Sequence, residues 1–98
     1  MKENQYQADL IKRIENLLPG CRILKNDANY RQGIPDLTIM WRGRYALLEV
    51  KASEKSKERP NQRWYVEEAA KETFASFIYP ENEEEVLRAL QRSLAGRR

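Results

Sequence analysis

The chain of 98 residues carries 18 Lys or Arg against 15 Asp or Glu, which gives a formal charge of +3, and 41% of its residues are hydrophobic. This length predicts a single domain over residues 1–98 with enough apolar residues for a core. The chain has no histidine and one cysteine, which excludes a Ser-His-Asp triad, a Cys-His dyad, a His- or Cys-rich zinc site and an intramolecular disulfide. Acid–base or metal chemistry must therefore rest on Asp, Glu and Lys.

Residues 1–5 are mostly polar and lack the apolar core of a signal peptide. No apolar run approaches the length of about 18 residues that a membrane span requires. These features predict a soluble, cytoplasmic protein without a membrane partner.

Three segments show the spacing of amphipathic helices, with apolar residues at three- and four-residue steps. They are residues 4–18, 61–71 and 81–94. Pro19-Gly20 ends the first helix, and Pro60 stands at the start of the second, where proline is well tolerated. A tail over residues 96–98 is predicted to fray.

Short segments rich in β-branched, aromatic and other apolar residues predict four strands. They are residues 21–24, 36–41, 45–52 and 74–79. A polar segment at 25–33 is predicted to be a loop. The order helix, three strands, helix, strand, helix predicts an α/β domain with a four-stranded mixed sheet flanked by helices.

A two-residue loop at Arg42-Gly43 would set the register of the predicted hairpin. Positions 41 and 44 then face each other, and counting outward places Asp36 opposite Glu49. Facing residues have Cβ atoms about 5 Å apart, and Lys51 lies on the same face because it is two residues beyond Glu49. A three-residue loop would shift this register by one residue.

Two facing carboxylates repel each other, and a divalent cation between them removes that cost. Oxygen ligands suit Mg²⁺ or Mn²⁺, which polarise phosphate oxygens and lower the pKa of bound water. Lys51 can orient such a water or stabilise charge on a phosphate. The alternative is ordinary: Pro-Asp often opens a strand, and Glu-x-Lys is often a solvated ion pair.

The residues of this site resemble a known nuclease superfamily. Gly33-Ile34-Pro35-Asp36, Glu49-Val50-Lys51 and Gln62 at the start of a helix are similar to motifs of the PD-(D/E)XK nucleases. The nearest branch is VRR-NUC, the virus-type replication–repair nucleases. The resemblance runs from the first helix to about Tyr79 and implies a small restriction-endonuclease-like core.

The resemblance also implies roles for individual residues. Asp36, Glu49 and the backbone carbonyl of Val50 would bind the metal ion. Lys51 would be the catalytic lysine, and Gln62 would be a supporting polar residue beside the site.

A glutamate in the first helix is a further feature of the family. Glu3 fits that place best, whereas Glu15 lies late in the helix, where a surface role is favoured. Stand-alone viral members are similar to Holliday-junction resolvases and tend to be homodimers. The resemblance therefore implies a homodimeric, structure-selective DNA endonuclease for branched DNA in replication, recombination or repair, in a bacterial or phage-infected cell.

A basic surface is predicted beside the site. Residues 42–63 contain seven Lys or Arg and three Asp or Glu, and the polar loop adds further candidates for phosphate contacts. The predicted nucleic-acid-binding residues are Lys25, Tyr30, Arg31, Arg42, Arg44, Lys55, Lys57, Arg59 and Arg63. An ordinary solvated loop is the alternative. Four other aromatic residues are predicted to lie in the core or on a dimer surface, with base stacking as the less favoured alternative: Trp41, Trp64, Tyr65 and Phe77.

Two other functions stay open at this stage. A non-catalytic DNA-binding module on the same fold would need no divalent ion and would show no turnover. A protein-interaction or phage assembly subunit would have a partner surface without salt-sensitive affinity for DNA.

Overall fold

The computed structural model describes residues 2–96, which form three helices and four strands. The helices are α1 (Glu3–Leu17), α2 (Gln62–Ala70) and α3 (Glu83–Leu94). The strands are β1 (Arg22–Lys25), β2 (Leu37–Trp41), β3 (Arg44–Val50) and β4 (Phe74–Ile78). The predicted order of elements is confirmed. Two residues of the predicted frayed tail, Arg97 and Arg98, lie outside the described residues.

The four strands form one sheet in the order β1-β2-β3-β4. β1 and β3 each pair antiparallel with β2, whereas β4 pairs parallel with β3. A parallel pair needs a long connection, and α2 supplies it between β3 and β4. The predicted α/β fold with a mixed sheet is therefore confirmed.

The β2–β3 hairpin has the predicted two-residue turn. Arg42 and Gly43 have φ angles of 54° and 79°, and positive φ at both central residues is the mark of a type I′ turn. Trp41 consequently pairs with Arg44, and at the far end of the ladder Leu37 pairs with Leu48. The register expected from the sequence is confirmed.

The hydrophobic core lies on one face of the sheet, under α1 and α3. Each of its larger aliphatic side chains contributes about 1.5–3 kcal/mol by leaving water. The buried members from the helices are Tyr6, Leu10, Ile14 and Leu18, with Val86, Leu90 and Leu94. The members from the strands are Leu37, Ile39, Ala46, Leu48, Val50 and Ile78.

The opposite face of the sheet carries the alternate residues of the same strands. α2 packs there against β3 and β4 through Val66 and Gln62, which are both buried. Glu49 is the residue of β3 that lies under the start of this helix. No helix within residues 2–96 has the length and apolarity needed to cross a membrane.

Candidate active site

Two carboxylates meet at the end of the hairpin that lies away from the turn. Asp36 precedes the Leu37–Leu48 pair, so it continues the register toward Glu49. The backbone N–H of Val50 donates a hydrogen bond to Asp36 Oδ2 at 2.9 Å, which holds the Asp36 carboxylate beside β3. The structure therefore brings together the two acids that the register predicted to face each other.

Glu49 is only 1% exposed, and its two oxygens have different surroundings. Oε2 accepts a hydrogen bond from Gln62 Nε2 at 2.9 Å. Oε1 has no hydrogen-bond partner and is the only such buried side-chain atom within residues 2–96. Burial, followed by repulsion from the Asp36 charge, raises the pKa of Glu49 to about 8. A buried oxygen in this position costs about 1–3 kcal/mol unless a proton or a cation satisfies it.

Lys51 is 5% exposed and lies on the same face as Glu49. Its Nζ donates to Gln62 Oε1 at 2.6 Å and to the backbone carbonyl of Lys57 at 3.0 Å. The backbone N–H of Arg59 also donates to Gln62 Oε1, at 2.7 Å. Gln62 thus accepts from the lysine side and donates to Glu49, so its amide joins the cation and the acid in one network.

The loop before β2 presses against the start of α2. Gly33 has a φ of +94°, and a Cβ built on it would lie 2.7 Å from Asn61 Cβ and 2.8 Å from the carbonyl oxygen of Pro60. Only glycine permits both this backbone conformation and this close approach. The glycine of the Gly-Ile-Pro-Asp motif therefore positions the loop against the segment that carries Gln62.

A second positioning residue had no signal in the sequence beyond its polar loop context. Asn26 Nδ2 donates to the carbonyl of Pro35 and to Thr38 Oγ1, each at 2.9 Å. Its backbone N–H donates to the carbonyl of Asp36 at 2.8 Å. Asn26 therefore ties the end of β1 to the residues on either side of Asp36.

These side chains line a cavity of about 260 Å³ between the loop, the sheet and α2. Its lining comprises Glu3, Ala28, Gln32, Gly33, Ile34, Asp36, Glu49, Lys51, Arg59 and Gln62. Six of these are site residues predicted from the sequence, Gly33 and Ile34 belong to the quoted motif, and Ala28 and Gln32 had no signal in the sequence.

Glu3 reaches the cavity from the first turn of α1. Partial burial and then repulsion from Asp36 raise the pKa of Glu3, although Lys51 and Arg59 oppose this shift. Glu15, the other candidate in this helix, is exposed and is absent from the cavity lining. Of the two glutamates, the structure therefore places Glu3 near the acidic pair.

The donor set suits a hard divalent cation. Glu49 Oε1 is unsatisfied and faces a second carboxylate, and Mg²⁺ commonly uses one or two carboxylates while keeping several waters. No group of three or more His, Cys, Asp or Glu residues within residues 2–96 is arranged to hold a metal ion by side chains alone. A bound ion would therefore need backbone carbonyl or water ligands as well as Asp36 and Glu49.

The predicted basic surface divides into two parts. Arg59 lines the cavity, Lys55 and Lys57 are exposed in the loop before α2, and Lys25 pairs with Leu37 next to Asp36. Arg42 and Arg44 instead lie at the hairpin turn. Five residues of extended β3 separate Arg44 from Glu49, or about 17 Å. Extended strands therefore separate these two arginines from the acidic end, and their contact with nucleic acid stays a prediction.

Arg63 is exposed but already engaged. Its guanidinium forms ion pairs with Glu58 and Glu67, and it lies 5.0 Å from the centre of the Phe77 ring. Contact with a phosphate would compete with these two carboxylates, so Arg63 is a weaker anion site than its charge alone suggested.

Two solved structures share this fold. One, described as "VRR_NUC domain", is 28% identical, with a TM-score of 0.69 over 91% of this chain and 94% of that chain. Another, "VRR_NUC domain protein", is 19% identical, has a TM-score of 0.70 over 97% of this chain and 89% of that chain, and shows the fold alone. A scan of protein-family models and a search of curated proteins found no match. The structural matches confirm the predicted resemblance to VRR-NUC domains.

Proposed function

From the likeness to VRR_NUC domains, which implies a nuclease family, we propose that this protein hydrolyses phosphodiester bonds in DNA with Mg²⁺ or Mn²⁺. The observation that carries the proposal is the unsatisfied Glu49 oxygen, which faces Asp36 beside the buried ammonium of Lys51. This combination of acids and a cation at one cavity is what phosphodiester hydrolysis without histidine requires.

Asp36 and Glu49, with the backbone carbonyl of Val50, would hold the ion. When bound, the ion supplies a Lewis acid for a phosphate oxygen and lowers the pKa of a coordinated water. Asp36 is well placed for this role because its Oδ2 is already fixed by the Val50 N–H, so the carboxylate loses little freedom on binding.

Lys51 provides positive charge where the phosphate would lie. Two of its three N–H donors are used by Gln62 and the Lys57 carbonyl, which leaves one for a phosphate oxygen or the attacking water. Because the ammonium is almost fully buried, water screens its charge poorly, and its stabilisation of developing negative charge is correspondingly strong.

Gln62 acts through its neighbours. Its amide oxygen accepts from Lys51 and its amide nitrogen donates to Glu49, so Gln62 fixes the positions of both side chains. Glu3 lies at the same cavity, where its carboxylate would add negative charge near the ion.

The preferred substrate that the resemblance suggests is Holliday-junction or other branched DNA, cut by a homodimer during replication, recombination or repair. Exposed cations on the cavity side, Lys55, Lys57 and Arg59, would contact phosphates. A second copy of the chain would widen the basic surface presented to a branched duplex.

A non-catalytic DNA-binding or assembly role explains less of the geometry. Binding phosphates favours cations at a surface, and it gives no reason to bury Glu49 against a second acid, where an unsatisfied oxygen destabilises the fold. The nuclease proposal explains that arrangement as a site for a cation.

The decisive experiment compares cleavage of a four-way junction, a flap, a linear duplex and a single strand, with Mg²⁺, with Mn²⁺ and with EDTA. We expect divalent-dependent cleavage, strongest on the branched substrates, and none in EDTA. Glu49→Ala and Lys51→Ala should remove most activity in proteins that remain folded by circular dichroism.

Lys71→Ala is the matched control for Lys51→Ala. Lys71 is an exposed lysine whose ammonium pairs with Glu68 at the end of α2, away from the cavity, so its removal should leave cleavage unchanged. Normal cleavage by both the Glu49 and the Lys51 variants would contradict the site assignment.

A further inference from the structure

Two large aromatic side chains in the segments that border the cavity are exposed to solvent. Tyr30 is 75% exposed and Trp64 is 57% exposed. Trp64 is therefore outside the core, whereas Trp41 packs against the core and donates its indole N–H to the Pro19 carbonyl at 2.9 Å. Single exposed rings are ordinary, but a group of exposed rings that forms one surface is typical of a binding site.

The two rings belong to one continuous surface. The Arg31 guanidinium lies 5.5 Å from the centre of the Tyr30 ring. Polar contacts with the side chains of Tyr30 and Tyr65 raise the pKa of Arg31. The Tyr65 ring in turn meets the Trp64 ring edge to face, with centroids 4.9 Å apart. We call Tyr30, Arg31, Tyr65 and Trp64 the aromatic rim.

The aromatic rim adjoins the cavity on two sides. Tyr30 and Arg31 fall between Ala28 and Gln32, and both of these line the cavity. On the other side, Tyr65 lies three residues after Gln62, so the two are neighbours on the surface of α2. The rim is therefore carried by the same loop and helix that line the cavity, which places it where a strand bound at the cavity could extend.

We propose that the aromatic rim stacks the unpaired bases of a single-stranded nucleic acid whose backbone enters the cavity. The inference rests on the proposed nuclease function and deepens it, because it assigns the substrate class as a single strand or the single-stranded part of a branch. Bases within a duplex stack on one another and offer only their edges in the grooves, whereas unpaired bases expose faces that fit tyrosine, tryptophan and arginine.

A protein partner is the other occupant that such rings could accept, since Tyr, Trp and Arg are also enriched in protein interfaces. The position of the rim favours nucleic acid. The rim contains an arginine, and it borders the cavity in which the proposed function places a phosphate, held by Lys51, Arg59 and an ion on the acids.

Binding in EDTA tests this inference without requiring cleavage. The probes are an oligothymidylate of about 12 nucleotides and a fully abasic strand of equal length, which has the same phosphates and no bases. We expect the oligothymidylate to bind at least about 100-fold more tightly than the abasic strand, because at least two rings stack on bases, and to quench Trp64 fluorescence. Trp64→Ala and Tyr30→Ala should each weaken oligothymidylate binding by about 5- to 100-fold and leave abasic binding unchanged.

Two variants control for folding and for position. Trp64→Phe keeps an aromatic ring in the rim and should keep most of the affinity. It should lose most of the quenching, because the other tryptophan, Trp41, lies next to the hairpin turn, with the Arg42 guanidinium 4.2 Å from the centre of its ring. Tyr45→Ala removes another exposed aromatic ring, but one near the hairpin turn, and should change neither binding nor quenching.

Equal affinity for the two strands, or unchanged binding by both rim variants, would overturn the inference. A dimer that Trp64→Ala dissociates, with strand binding intact, would assign the rim to a second copy instead. If strand binding depends on the rim but no cleavage occurs with divalent ions, only the nuclease proposal is contradicted. If divalent ions support cleavage, and neither the rim variants nor the presence of unpaired bases changes it, only this inference is contradicted.

Discussion

Glu49 and Glu83 are two glutamates at opposite faces of the sheet, and their surroundings differ in one decisive respect. Glu83, at the start of α3, accepts the Tyr6 hydroxyl at 2.7 Å and two bonds from Arg13, at 2.6 and 2.9 Å. Glu49 has one amide partner, faces Asp36 and keeps one buried oxygen unsatisfied. The chain thus satisfies one acid fully and leaves the other short of positive charge.

The pKa values of the two acids move in opposite directions. Burial raises the pKa of Glu83, but hydrogen bonds from Arg13 and Tyr6 outweigh it, and the net shift is downward. Burial and Asp36 raise the pKa of Glu49 to about 8. The fold itself supplies the positive charge that Glu83 needs, whereas Glu49 is the acid that the proposed function assigns to an external cation.

The largest expected difference between the two glutamates is in the rate of DNA cleavage after each is changed to glutamine. Glu49→Gln keeps the shape of the side chain and removes a ligand charge, so cleavage should fall by about 10³-fold, or about 4 kcal/mol of activation free energy. Glu83→Gln should cleave at the rate of the unchanged protein, measured per folded molecule on the best substrate. Loss of activity in the Glu83 variant alone would reverse the assignment of roles.

Stability should respond in the opposite order. Glu83→Gln weakens charge-assisted bonds from Tyr6 and Arg13 and should lower the free energy of unfolding by about 1–3 kcal/mol. Urea denaturation in EDTA measures this loss. Tyr6→Phe removes only the hydroxyl and leaves the Arg13–Glu83 bonds in place. It should therefore lower the free energy of unfolding by less than Glu83→Gln does. If Glu83→Gln and Tyr6→Phe are both as stable as the unchanged protein, the Glu83, Tyr6 and Arg13 cluster contributes nothing to stability.

Glu49→Gln should stabilise the metal-free protein. Without a metal ion, folding must either bury the Glu49 charge against Asp36 or protonate Glu49, as its raised pKa shows, and glutamine avoids both costs while adding an N–H donor for Asp36, so we expect a gain of about 1–2 kcal/mol in EDTA at neutral pH. Mg²⁺ should raise the thermal midpoint of the unchanged protein and not that of the variant. A variant that is less stable than the unchanged protein in EDTA would argue against repulsion between the two acids.

The smallest expected effect is a difference in acid sensitivity. Because the pKa of Glu83 is lowered in the folded state, the unfolded state binds more protons as the pH falls below the ordinary glutamate value of about 4.5. The stabilisation from Glu83 is therefore present above that pH and is lost as the pH falls through the lower folded value. Chemical denaturation at several pH values should show a shallower acid loss in Glu83→Gln, and identical slopes would contradict the lowered pKa.

The central geometry of the candidate site could be predicted from the sequence because it depends on local rules. The Arg42-Gly43 turn and the two-residue period of strands are enough to place Asp36 near Glu49 and Lys51 on the same face. The same hairpin also places Arg42 and Arg44 at the turn, away from the acids. Counting charges over residues 42–63 groups these arginines with the site because it ignores the distance along the extended strands.

Contacts between segments distant in sequence could not be predicted in this way. The Gln62 bridge between Lys51 and Glu49 exists only because α2 crosses over the sheet and its first turn lies above β3. The fit of Gly33 against Asn61, and the exposure of Trp64 beside Tyr65, depend on how a loop and a helix pack. Periodicity identifies an apolar or polar face of one element, but it does not say which other element covers that face.

By itself the sequence determined the elements, the hairpin register and the pairing of two acids, because turn chemistry and side-chain alternation act over a few residues. Tertiary packing alone decided that Glu49 is buried with an unsatisfied oxygen while Glu83 is neutralised by Tyr6 and Arg13. The physical reason is that the charge a carboxylate can carry depends on the water removed and the partners supplied by other elements, and those are properties of the assembled fold.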